Sequence, residues 1–403
     1  MSTGDFGQFA DAVAGRRSQA TLSDDVPVFQ KVAVLGGGGD ARLLAALCLS
    51  EGADVTLFSA YGAELDAIRI AGGITIRGEG PVGTYQVDQS GSPAIATTAE
   101  LDRAVAGAEL IFLTGPVHKQ RTYAMVLADH LSDGQTLVLA PGRSLGAVEA
   151  AWLLRVGGCR ADVTLIEAQG LPYWTRAAGS TLHLTTCAPV PAAALPSDRM
   201  GAVEGLKRFL PNLVAMPSVV QSGFADGSGL VEVPALMLGG PVCPDGGQAI
   251  PDGATPLPER DTFRTLIGAR HGDAIAALAQ ERRAVAGRYG VRDLPDDQGW
   301  LDTYAGADVG PMSRPVPYTG HAEAYVRCAV VGSLVPLMSA AALAGVAVPA
   351  TSAMVTLASA TLGGDLANAG RRLDGIGITA QSIDDARRAM DQIAKGQLVG
   401  GAR

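Results

Sequence analysis

A glycine-rich segment near the start of the chain constrains the fold more than any other feature. Residues 31–59 read KVAVLGGGGDARLLAALCLSEGADVTLFS, an apolar strand pattern followed by four glycines, an Ala- and Leu-rich helical pattern and a second apolar strand pattern. Gly36, Gly38 and Ala41 give the spacing G-x-G-x-x-A at the junction of strand and helix. In this order of elements, the spacing is typical of the turn that binds the pyrophosphate of a dinucleotide.

The residues of this turn have sizes that suit a phosphate ligand. Gly36 allows the tight turn, Gly38 lets the backbone approach the pyrophosphate, and Ala41 lets the helix pack closely on the sheet. The free N–H groups and the dipole of the helix N-terminus then favour a bound anion. We therefore predict that Gly36, Gly38, Gly39 and Ala41 bind the cofactor. The alternative is a glycine-rich turn without a ligand.

The choice between NAD and NADP depends on the end of the second strand. Ser59 stands where an Asp or Glu would hold the ribose 2′-hydroxyl, which removes the usual selector for NAD. A serine could donate to a 2′-phosphate, and Arg42 lies in the nearby turn, although no Lys or Arg directly follows Ser59. We predict that both residues contact the cofactor and that NADP(H) is preferred, with NAD(H) as the alternative.

The composition limits the class of protein and its partners. A chain of 403 residues exceeds the roughly 250 to 300 at which one core stops growing, so two domains are expected. With 47% hydrophobic and 18% charged residues, the chain should fold. A net charge of −9 argues against nucleic acid and anionic membranes and favours a small-molecule substrate. The five scattered cysteines suggest neither disulfides nor a metal site, and no secretory signal is visible, so we expect a cytoplasmic protein.

Short apolar segments alternate with helical patterns through the first half, which predicts an α/β fold with a mostly parallel sheet. The predicted strands are Val32–Leu35, Asp54–Phe58, Leu110–Thr114, Thr136–Ala140 and Val163–Ile166. A β-hairpin insertion is predicted at residues 72–87, which read GGITIRGEGPVGTYQV. Pro116, just after the third predicted strand, is a further cofactor-binding candidate. From Thr262 onward helical periodicity dominates. We predict an N-terminal arm at 1–30, a Rossmann dinucleotide-binding domain at 31–190 and a mainly helical substrate-binding domain at 191–403.

Two segments of the second half are each compatible with more than one structure. No charged residue occurs in the stretch Cys328–Gly364, which is long enough to cross a bilayer. Pro336 and Pro349 interrupt it, so we favour the interior of two packed helices over a membrane span. Residues 239–258 are so rich in Gly and Pro that they should be irregular, either as a lid or as a solvated insertion.

Three further segments occur in an order that resembles the octopine/nopaline (opine) dehydrogenase family. They are LVLAPGRSLGAVE at 137–149, EAQGLPYWTR at 167–176 and the apolar stretch from AYVRCAVVGSLVPL to RRLDGIG at 324–377. The resemblance implies a Rossmann domain followed by a helical domain of the 6-phosphogluconate-dehydrogenase-like C-terminal type. It also implies the NAD(P)H-dependent reduction of the imine between an amino acid and a 2-oxo acid, which yields a secondary amine dicarboxylate.

Substrates with carboxylates need cationic anchors, and planar guanidinium groups suit them best. Arg143, Arg176 and Arg327 are the predicted anchors. Arg143 directly follows a predicted strand, where ligands of open α/β sheets gather, although a surface ion pair is an alternative. Arg176 fits a solvated position equally well. Tyr173 is a further substrate-binding candidate, with a packed aromatic side chain as the alternative.

The family's general acid/base is a histidine in a segment of the form N-x-N-x-x-x-H-x-P, which corresponds here to DGSGLVEVP at 226–234. Glu232 stands in the histidine position, and Cys328 and Ala329 replace an acidic pair. Glu232 is therefore a catalytic candidate. It is a general acid if apolar neighbours raise its pKa, an ionised partner of a substrate amine or an arginine, or an inert residue. His118, after the third predicted strand, is the second catalytic candidate, with a structural or exposed histidine as the alternative.

These observations favour an opine-dehydrogenase-like oxidoreductase, expected to be a homodimer. The first alternative is a dehydrogenase or reductase of the same fold that acts on one hydroxy or keto metabolite without condensation. The second is a nucleotide-binding protein that has lost catalysis, for which the missing histidine is the reason.

Overall fold

One mostly parallel sheet organises the first half of the chain. The computed structural model of the protein describes residues 26–90, 93–238, 242, 262–307, 310–317 and 319–396. Its strands are β1 (Lys31–Leu35), β2 (Asp54–Phe58), β3 (Ile74–Gly78), β4 (Gly83–Tyr85), β5 (Ala96–Thr98), β6 (Leu110–Leu113), β7 (Thr136–Leu139), β8 (Thr164–Ala168), β9 (Tyr173–Ala178), β10 (Thr181–Thr186), β11 (Val190–Leu195) and β12 (Leu213–Ala215). In the described part of the chain, the large sheet has the order β12-β11-β8-β7-β6-β1-β2-β5.

The central strands carry the topology of a dinucleotide-binding fold. From β5 through β2, β1, β6 and β7 to β8, all neighbours are parallel. This order equals the 3-2-1-4-5-6 arrangement of a Rossmann domain. The strands predicted from the apolar segments are confirmed, with ends that differ by at most two residues. The strand order reverses between β1 and β6, so a ligand crevice lies at the carboxyl ends of these two strands.

The predicted hairpin is confirmed, and it belongs to a second, smaller sheet of order β4-β3-β10-β9. Strands β3 and β4 are antiparallel, while β10 runs parallel to β3 and antiparallel to β9. Strand β9 runs close to the glycine-rich turn, because a Cβ on Gly39 would lie 3.4 Å from Thr175 Cγ2. The small sheet therefore covers one side of the ligand crevice.

Helices cover the large sheet and dominate from Thr262 onward, as predicted. They are α1 (Gly39–Ser50), α2 (Gly62–Ile70), α3 (Leu101–Val105), α4 (Val117–Leu127), α5 (Gly146–Val156), α6 (Gly201–Leu206), α7 (Val219–Phe224), α8 (Ser228–Met237), α9 (Phe263–Leu266), α10 (Ala269–Arg288), α11 (Asp297–Tyr304), α12 (Thr319–Ala329), α13 (Val335–Ala344), α14 (Pro349–Leu362), α15 (Leu366–Ala369) and α16 (Ile383–Ala394). The apolar residues of α1 from Ala41 to Cys48 are buried, as expected for a helix that packs on the sheet.

The charge-free stretch forms packed helices of the second half, of which α13 is mostly buried and α14 is buried on one side. It continues from α12 through a π-helical segment, Val330–Leu334, into α13, and Gly345 then separates α13 from α14. Within the described residues, one helical stretch, His321–Ala344, has the length and composition of a membrane span. The protein itself buries 67% of the most apolar window of that stretch, as expected for core helices.

The large sheet does not end at the predicted domain boundary. Strand β11 begins at Val190 and β12 follows it, so the sheet continues to Ala215. The division of the chain at residue 190 stays a prediction. The predicted arm at 1–30 lies outside the described residues except for 26–30, and the Gly- and Pro-rich segment 239–258 does so except for Val242.

Candidate functional site

The glycine-rich turn after β1 has the geometry that a phosphate ligand requires. Gly36 has a φ of +133°, a conformation that favours glycine, and a side chain there would collide with Thr114 Oγ1. A Cβ on Gly38 would meet no atom within 4 Å, so the turn is open on that side. Helix α1 begins at Gly39, and the N–H groups of its first turn have no partner within the helix. The turn therefore fits the pyrophosphate of a dinucleotide.

A cavity of about 270 Å³ lies over this turn. We call it the turn pocket, and its lining includes Gly36, Gly37, Gly38, Gly39, Asp40, Ala41, Glu64, Thr114, Gly115, Pro116, Lys119, Arg176 and Tyr325. It spans the carboxyl ends of β1 and β6, where the strand order reverses. The structure thus brings together five of the residues predicted to bind the cofactor, Gly36, Gly38, Gly39, Ala41 and Pro116.

The other two predicted cofactor residues bind protein groups. Arg42 Nη1 donates to the carbonyl oxygen of Gly179 at 2.5 Å, in the turn between β9 and β10. Ser59 is buried and its hydroxyl donates to Glu64 Oε2 at 2.5 Å. A carboxylate therefore lies at the end of β2, and it belongs to Glu64 of α2 and not to a residue of the strand.

A second cavity of about 290 Å³ adjoins the turn pocket. We call it the arginine pocket, and its lining includes Asp40, Gly115, Pro116, Arg143, Gln169, Tyr173, Trp174, Glu232, Tyr304, Arg314, Tyr325 and Cys328. Asp40, Pro116 and Tyr325 line both cavities, which places the two side by side. Of the predicted substrate and catalytic residues, Arg143, Tyr173 and Glu232 reach this pocket.

Glu232 lies at the centre of a buried ion-pair cluster. Its side chain is 2% exposed, and the residues around it on α8 are buried. Arg314 Nη2 donates to Glu232 Oε1 at 2.6 Å, and Arg143 Nη2 lies 3.3 Å from Glu232 Oε2. Both carboxylate oxygens therefore accept hydrogen bonds from guanidinium groups. Of the alternatives raised by the sequence, this geometry favours the ionised partner of arginines over the proton donor.

Arg143 is held by contacts to both halves of the chain. Its backbone has a φ of 60°, and the following N–H, of Ser144, donates to the carbonyl oxygen of Gly332 at 2.9 Å. Gly332 lies in the π-helical segment, a type of irregularity that is frequent at functional sites. Burial acts to lower the pKa of Arg143, but Glu232 and Asp226 outweigh it and raise that pKa. The guanidinium is therefore a permanent cation in the pocket wall.

A buried carboxyl group supports the loop that carries Arg143. Glu167, on β8, accepts from the N–H of Ala147 at 3.1 Å, from Gln169 Nε2 at 2.8 Å and from the Ser222 hydroxyl at 2.9 Å. Gln169 Nε2 also donates to the carbonyl oxygen of Arg143 at 3.3 Å. Burial raises the pKa of Glu167 to about 7, although the N–H of Ala147 and the Ser222 hydroxyl oppose the shift.

Asp40 stands in the wall between the two cavities. It is the second residue of α1, and it lines both the turn pocket and the arginine pocket. Desolvation raises the pKa of Asp40, and the nearby Arg143 only partly opposes this. Desolvation by the surrounding protein and the Asp40 carboxyl group raise the pKa of Tyr325 to about 12, although the side chain is partly exposed, so Tyr325 remains a hydroxyl at neutral pH. Asp40 is thus the group at this junction that is suited to hold and release a proton.

The structure does not bring three predicted residues to the arginine pocket. His118 is exposed, because Val117, Gln120 and Ala124 form the buried side of α4. Arg327 Nη2 donates to the carbonyl oxygen of Leu362 at 2.7 Å, at the end of α14. The third residue, Arg176, lines the turn pocket instead and donates to the carbonyl oxygen of Val316 at 3.0 Å.

Sequence reasoning missed several residues of the site. Arg314 lies in the Pro-rich segment MSRPVP, which has no periodicity to predict its direction. Its guanidinium is 4.4 Å from the centre of the Phe263 ring, a contact that orients it toward Glu232. Asp40 was visible within the glycine motif, and an acidic residue beside a phosphate-binding turn is a signal that could have identified it. Glu64 lies five residues after Ser59, whereas the acidic residue that binds the ribose usually stands at the end of the second strand.

No group of three or more His, Cys, Asp or Glu residues in the described ranges is arranged to hold a metal ion.

No protein-family model matches the chain. An opine dehydrogenase of Arthrobacter sp. (strain 1C) is 24% identical over 372 residues, which cover 89% of this chain and 98% of that protein.

Solved structures show the same fold. An octopine dehydrogenase structure described with NADH and pyruvate has a TM-score of 0.67 at 18% identity, covering 94% of this chain and 100% of that chain. Yersinopine dehydrogenase with NADP+ bound has a TM-score of 0.54 at 13% identity, covering 92% and 99%. A PanE/ApbA-family ketopantoate reductase from Ralstonia eutropha JMP134 has a TM-score of 0.56 at 17% identity, covering 82% and 98%.

The sheet order, the glycine-rich turn and the adjoining arginine pocket define an NAD(P)-dependent oxidoreductase with a Rossmann domain and a helical C-terminal domain. The sequence match over nearly the whole chain is to an opine dehydrogenase, and an octopine dehydrogenase has the same fold. The family resemblance and the fold class predicted from the sequence are confirmed.

Proposed function

We propose that this protein uses NAD(P)H to reduce an imine or carbonyl formed from small polar substrates, an amine or amino acid and a 2-oxo acid. One observation carries the proposal. The turn pocket and the arginine pocket share a wall that includes Asp40 and Pro116, so a substrate held by arginines would lie beside a dinucleotide. A bound nicotinamide would supply a hydride at that junction.

The chain's own contribution to cofactor binding begins at the glycine-rich turn. Gly38 leaves room for a pyrophosphate, and the first N–H groups of α1 would donate to it. Thr114 Oγ1 donates to the carbonyl oxygen of Leu35 at 2.9 Å, which fixes the ends of β1 and β6 on either side of the crevice. These residues would hold a cofactor beside the arginine pocket.

Arg143 and Arg314 are the groups suited to bind the carboxylate of a 2-oxo acid. Their side chains are 11% and 9% exposed, and both line the arginine pocket. Glu232 neutralises only one of the two positive charges, so the pair retains an attraction for a substrate anion. In this account, Glu232 is a positioning residue that holds the two guanidinium groups apart and oriented.

The reaction also requires a proton. The amine and the 2-oxo acid lose water to form the imine, the hydride adds to the imine carbon, and one proton is needed to give the neutral secondary amine. Asp40 is the proposed donor because it faces both cavities and its pKa is raised. The nearby pyrophosphate of the cofactor would raise that pKa further, since like charges disfavour ionisation.

An assay of NAD(P)H oxidation with paired substrates tests the proposal. We expect turnover that requires both an amine or amino acid and a 2-oxo acid, and a product mass that equals that of the secondary amine. The variant Arg314→Lys should raise KM for the 2-oxo acid, because lysine loses the planar, bidentate contact. Absence of turnover across a broad panel of such pairs would contradict the proposal.

A second candidate is the reduction of a single keto acid without condensation. Both Glu232 oxygens accept hydrogen bonds from arginines. In the described lining of the arginine pocket, Asp40 is then the acidic side chain left to bind a substrate amine, and this favours a substrate without an amine. Turnover with a 2-oxo acid alone, and a hydroxy acid product, would select it. We further propose that the protein is a cytoplasmic homodimer with a functional division at residue 190.

A further inference from the structure

We infer that Glu64 selects NAD(H) over NADP(H), because its carboxylate occupies the place that a ribose 2′-phosphate would need. This inference rests on the proposed binding of a dinucleotide in the turn pocket. It reverses the preference predicted from Ser59 alone.

The position of the carboxylate is fixed by the end of β2. Ser59 is 1% exposed, so its hydroxyl faces protein, and it donates to Glu64 Oε2 at 2.5 Å. The N–H of Tyr61 donates to Ser59 Oγ at 3.1 Å and closes the turn into α2. Glu64 belongs to the first turn of α2 and reaches back to the strand. A buried serine thus serves as the anchor of an acidic side chain.

The same carboxylate borders the phosphate-binding turn. A side chain on Gly37 would collide with the carboxylate of Glu64, and Glu64 lines the turn pocket together with the four glycines. In a Rossmann fold, the adenosine ribose lies between the glycine-rich turn and the end of the second strand. Glu64 is therefore in contact with the space that this ribose would fill.

The chemistry of the two cofactors differs at one atom of that ribose. A carboxylate accepts hydrogen bonds from the 2′- and 3′-hydroxyls of NAD(H), whereas it repels the 2′-phosphate of NADP(H). Ser59 occupies one oxygen of Glu64, and the other oxygen is suited to accept from a ribose hydroxyl. The expected discrimination is at least tenfold in dissociation constant, which equals about 1.4 kcal/mol.

Two cations near the pocket are the rival explanation. Arg42 donates to the carbonyl oxygens of Gly38 and Gly179, which directs its guanidinium to the backbone. Lys119 lines the turn pocket, with Nζ 5.0 Å from the centre of the Tyr61 ring. If Lys119 bound a 2′-phosphate, NADP(H) would be preferred in spite of Glu64.

Calorimetric titration of the full chain with NADH, NADPH, AMP and adenosine 2′,5′-bisphosphate distinguishes these possibilities. We expect the wild type to bind NADH and AMP at least tenfold more tightly than their 2′-phosphorylated counterparts. Glu64→Gln should reduce this ratio at least fivefold, mainly through tighter binding of NADPH. Asp66→Asn is the matched control, because it removes the same charge from the same helix at a side chain that is 63% exposed. It should leave the ratio unchanged.

Three outcomes would overturn the inference, and they differ in what else they affect. A wild type that binds NADPH at least as tightly as NADH, with NADPH binding weakened in Lys119→Gln, assigns selection to Lys119. A tenfold preference for NADH that persists in Glu64→Gln removes Glu64 from selection. In both cases the dinucleotide site stands. Failure of the folded wild type to bind any of the four compounds overturns the inference together with the proposed function.

Discussion

Arg143 and Glu232 are 89 positions apart in the chain, yet Arg143 Nη2 and Glu232 Oε2 lie 3.3 Å apart in the wall of the arginine pocket. The first residue follows β7 of the large sheet, and the second lies within α8. Arg314 completes the cluster from the segment before α12. The cluster therefore fixes the relative positions of the parts of the chain that form the pocket.

Replacing Glu232 with Gln should weaken the fold and leave the pH dependence of catalysis in place. Loss of one partner leaves buried guanidinium charge uncompensated, and we expect the free energy of unfolding to fall by about 3 kcal/mol. Denaturant unfolding measures this loss, with the exposed Glu204→Gln as the control. A general acid would behave differently. Glu232→Gln would then be stable, with a loss of rate of roughly a hundredfold and the loss of one limb of the pH profile.

Replacing Gly38 with Leu should abolish dinucleotide binding without unfolding the protein. The space beside Gly38 is open and its φ is −74°, so a side chain fits the backbone but fills the place of the pyrophosphate. The matched control is Gly287→Leu in α10, where a Cβ also meets no atom within 4 Å. Calorimetric titration with NADH, together with thermal unfolding, measures both effects. An unchanged affinity for NADH in Gly38→Leu would exclude the turn as the binding site.

The sequence predicted the parts of the fold and site that depend on local pattern. Gly36, Gly38 and Ala41 could be recognised because the turn, the strand before it and the helix after it are contiguous in the chain. Arg143 could be placed at a strand end for the same reason. An ion pair of Glu232 with an arginine was one of the alternatives that the sequence raised. The sequence could not identify Arg143 and Arg314 as the partners, since only the tertiary structure brings these segments together. Arg327 does not reach the arginine pocket, because its position in the sequence does not state which side of α12 faces the pocket.

The choice of cofactor illustrates the same limit. The identity of Ser59 at the end of β2 suggested that no acidic selector was present. The selector role that we infer belongs to Glu64, whose carboxylate reaches Ser59 only after α2 folds back toward the strand. A side chain five residues away in sequence can thus occupy a position usually assigned to the strand itself.

Replacing Asp40 with Asn should lower kcat by at least tenfold while the protein still binds NADH. The protonated form of Asp40 is the proposed donor, and its pKa is raised above the ordinary value of about 3.9. Activity should therefore be highest at lower pH and fall as the pH rises through the raised pKa, and this limb should disappear in Asp40→Asn. The pH profile of kcat measures this. An identical alkaline limb in the variant would assign the proton to another group.

The buried Glu167 should make stability depend on pH. Its pKa is about 7 in the folded chain against about 4.5 when unfolded, so the folded state binds the proton more tightly. The stabilisation that protonated Glu167 contributes to the folded state is therefore fully present below pH 4.5 and is lost as the pH rises through 7. The free energy of unfolding of Glu167→Gln, taken relative to wild type, should rise by on the order of 3 kcal/mol between pH 4.5 and 7.5. A difference in stability that is the same at every pH does not affect this rise. Denaturant unfolding at these pH values measures the difference, and a pH-independent difference would refute the prediction.

The central claim is that an amine and a 2-oxo acid are joined and reduced in the arginine pocket beside the dinucleotide. It is tested most directly by mass spectrometry of the product formed from a ¹⁵N-labelled amine, a 2-oxo acid and NAD(P)H deuterated at the nicotinamide C4. The account predicts one secondary amine that contains both the ¹⁵N atom and the transferred deuterium. A deuterated hydroxy acid without nitrogen, formed at the same rate when the amine is omitted, would contradict it.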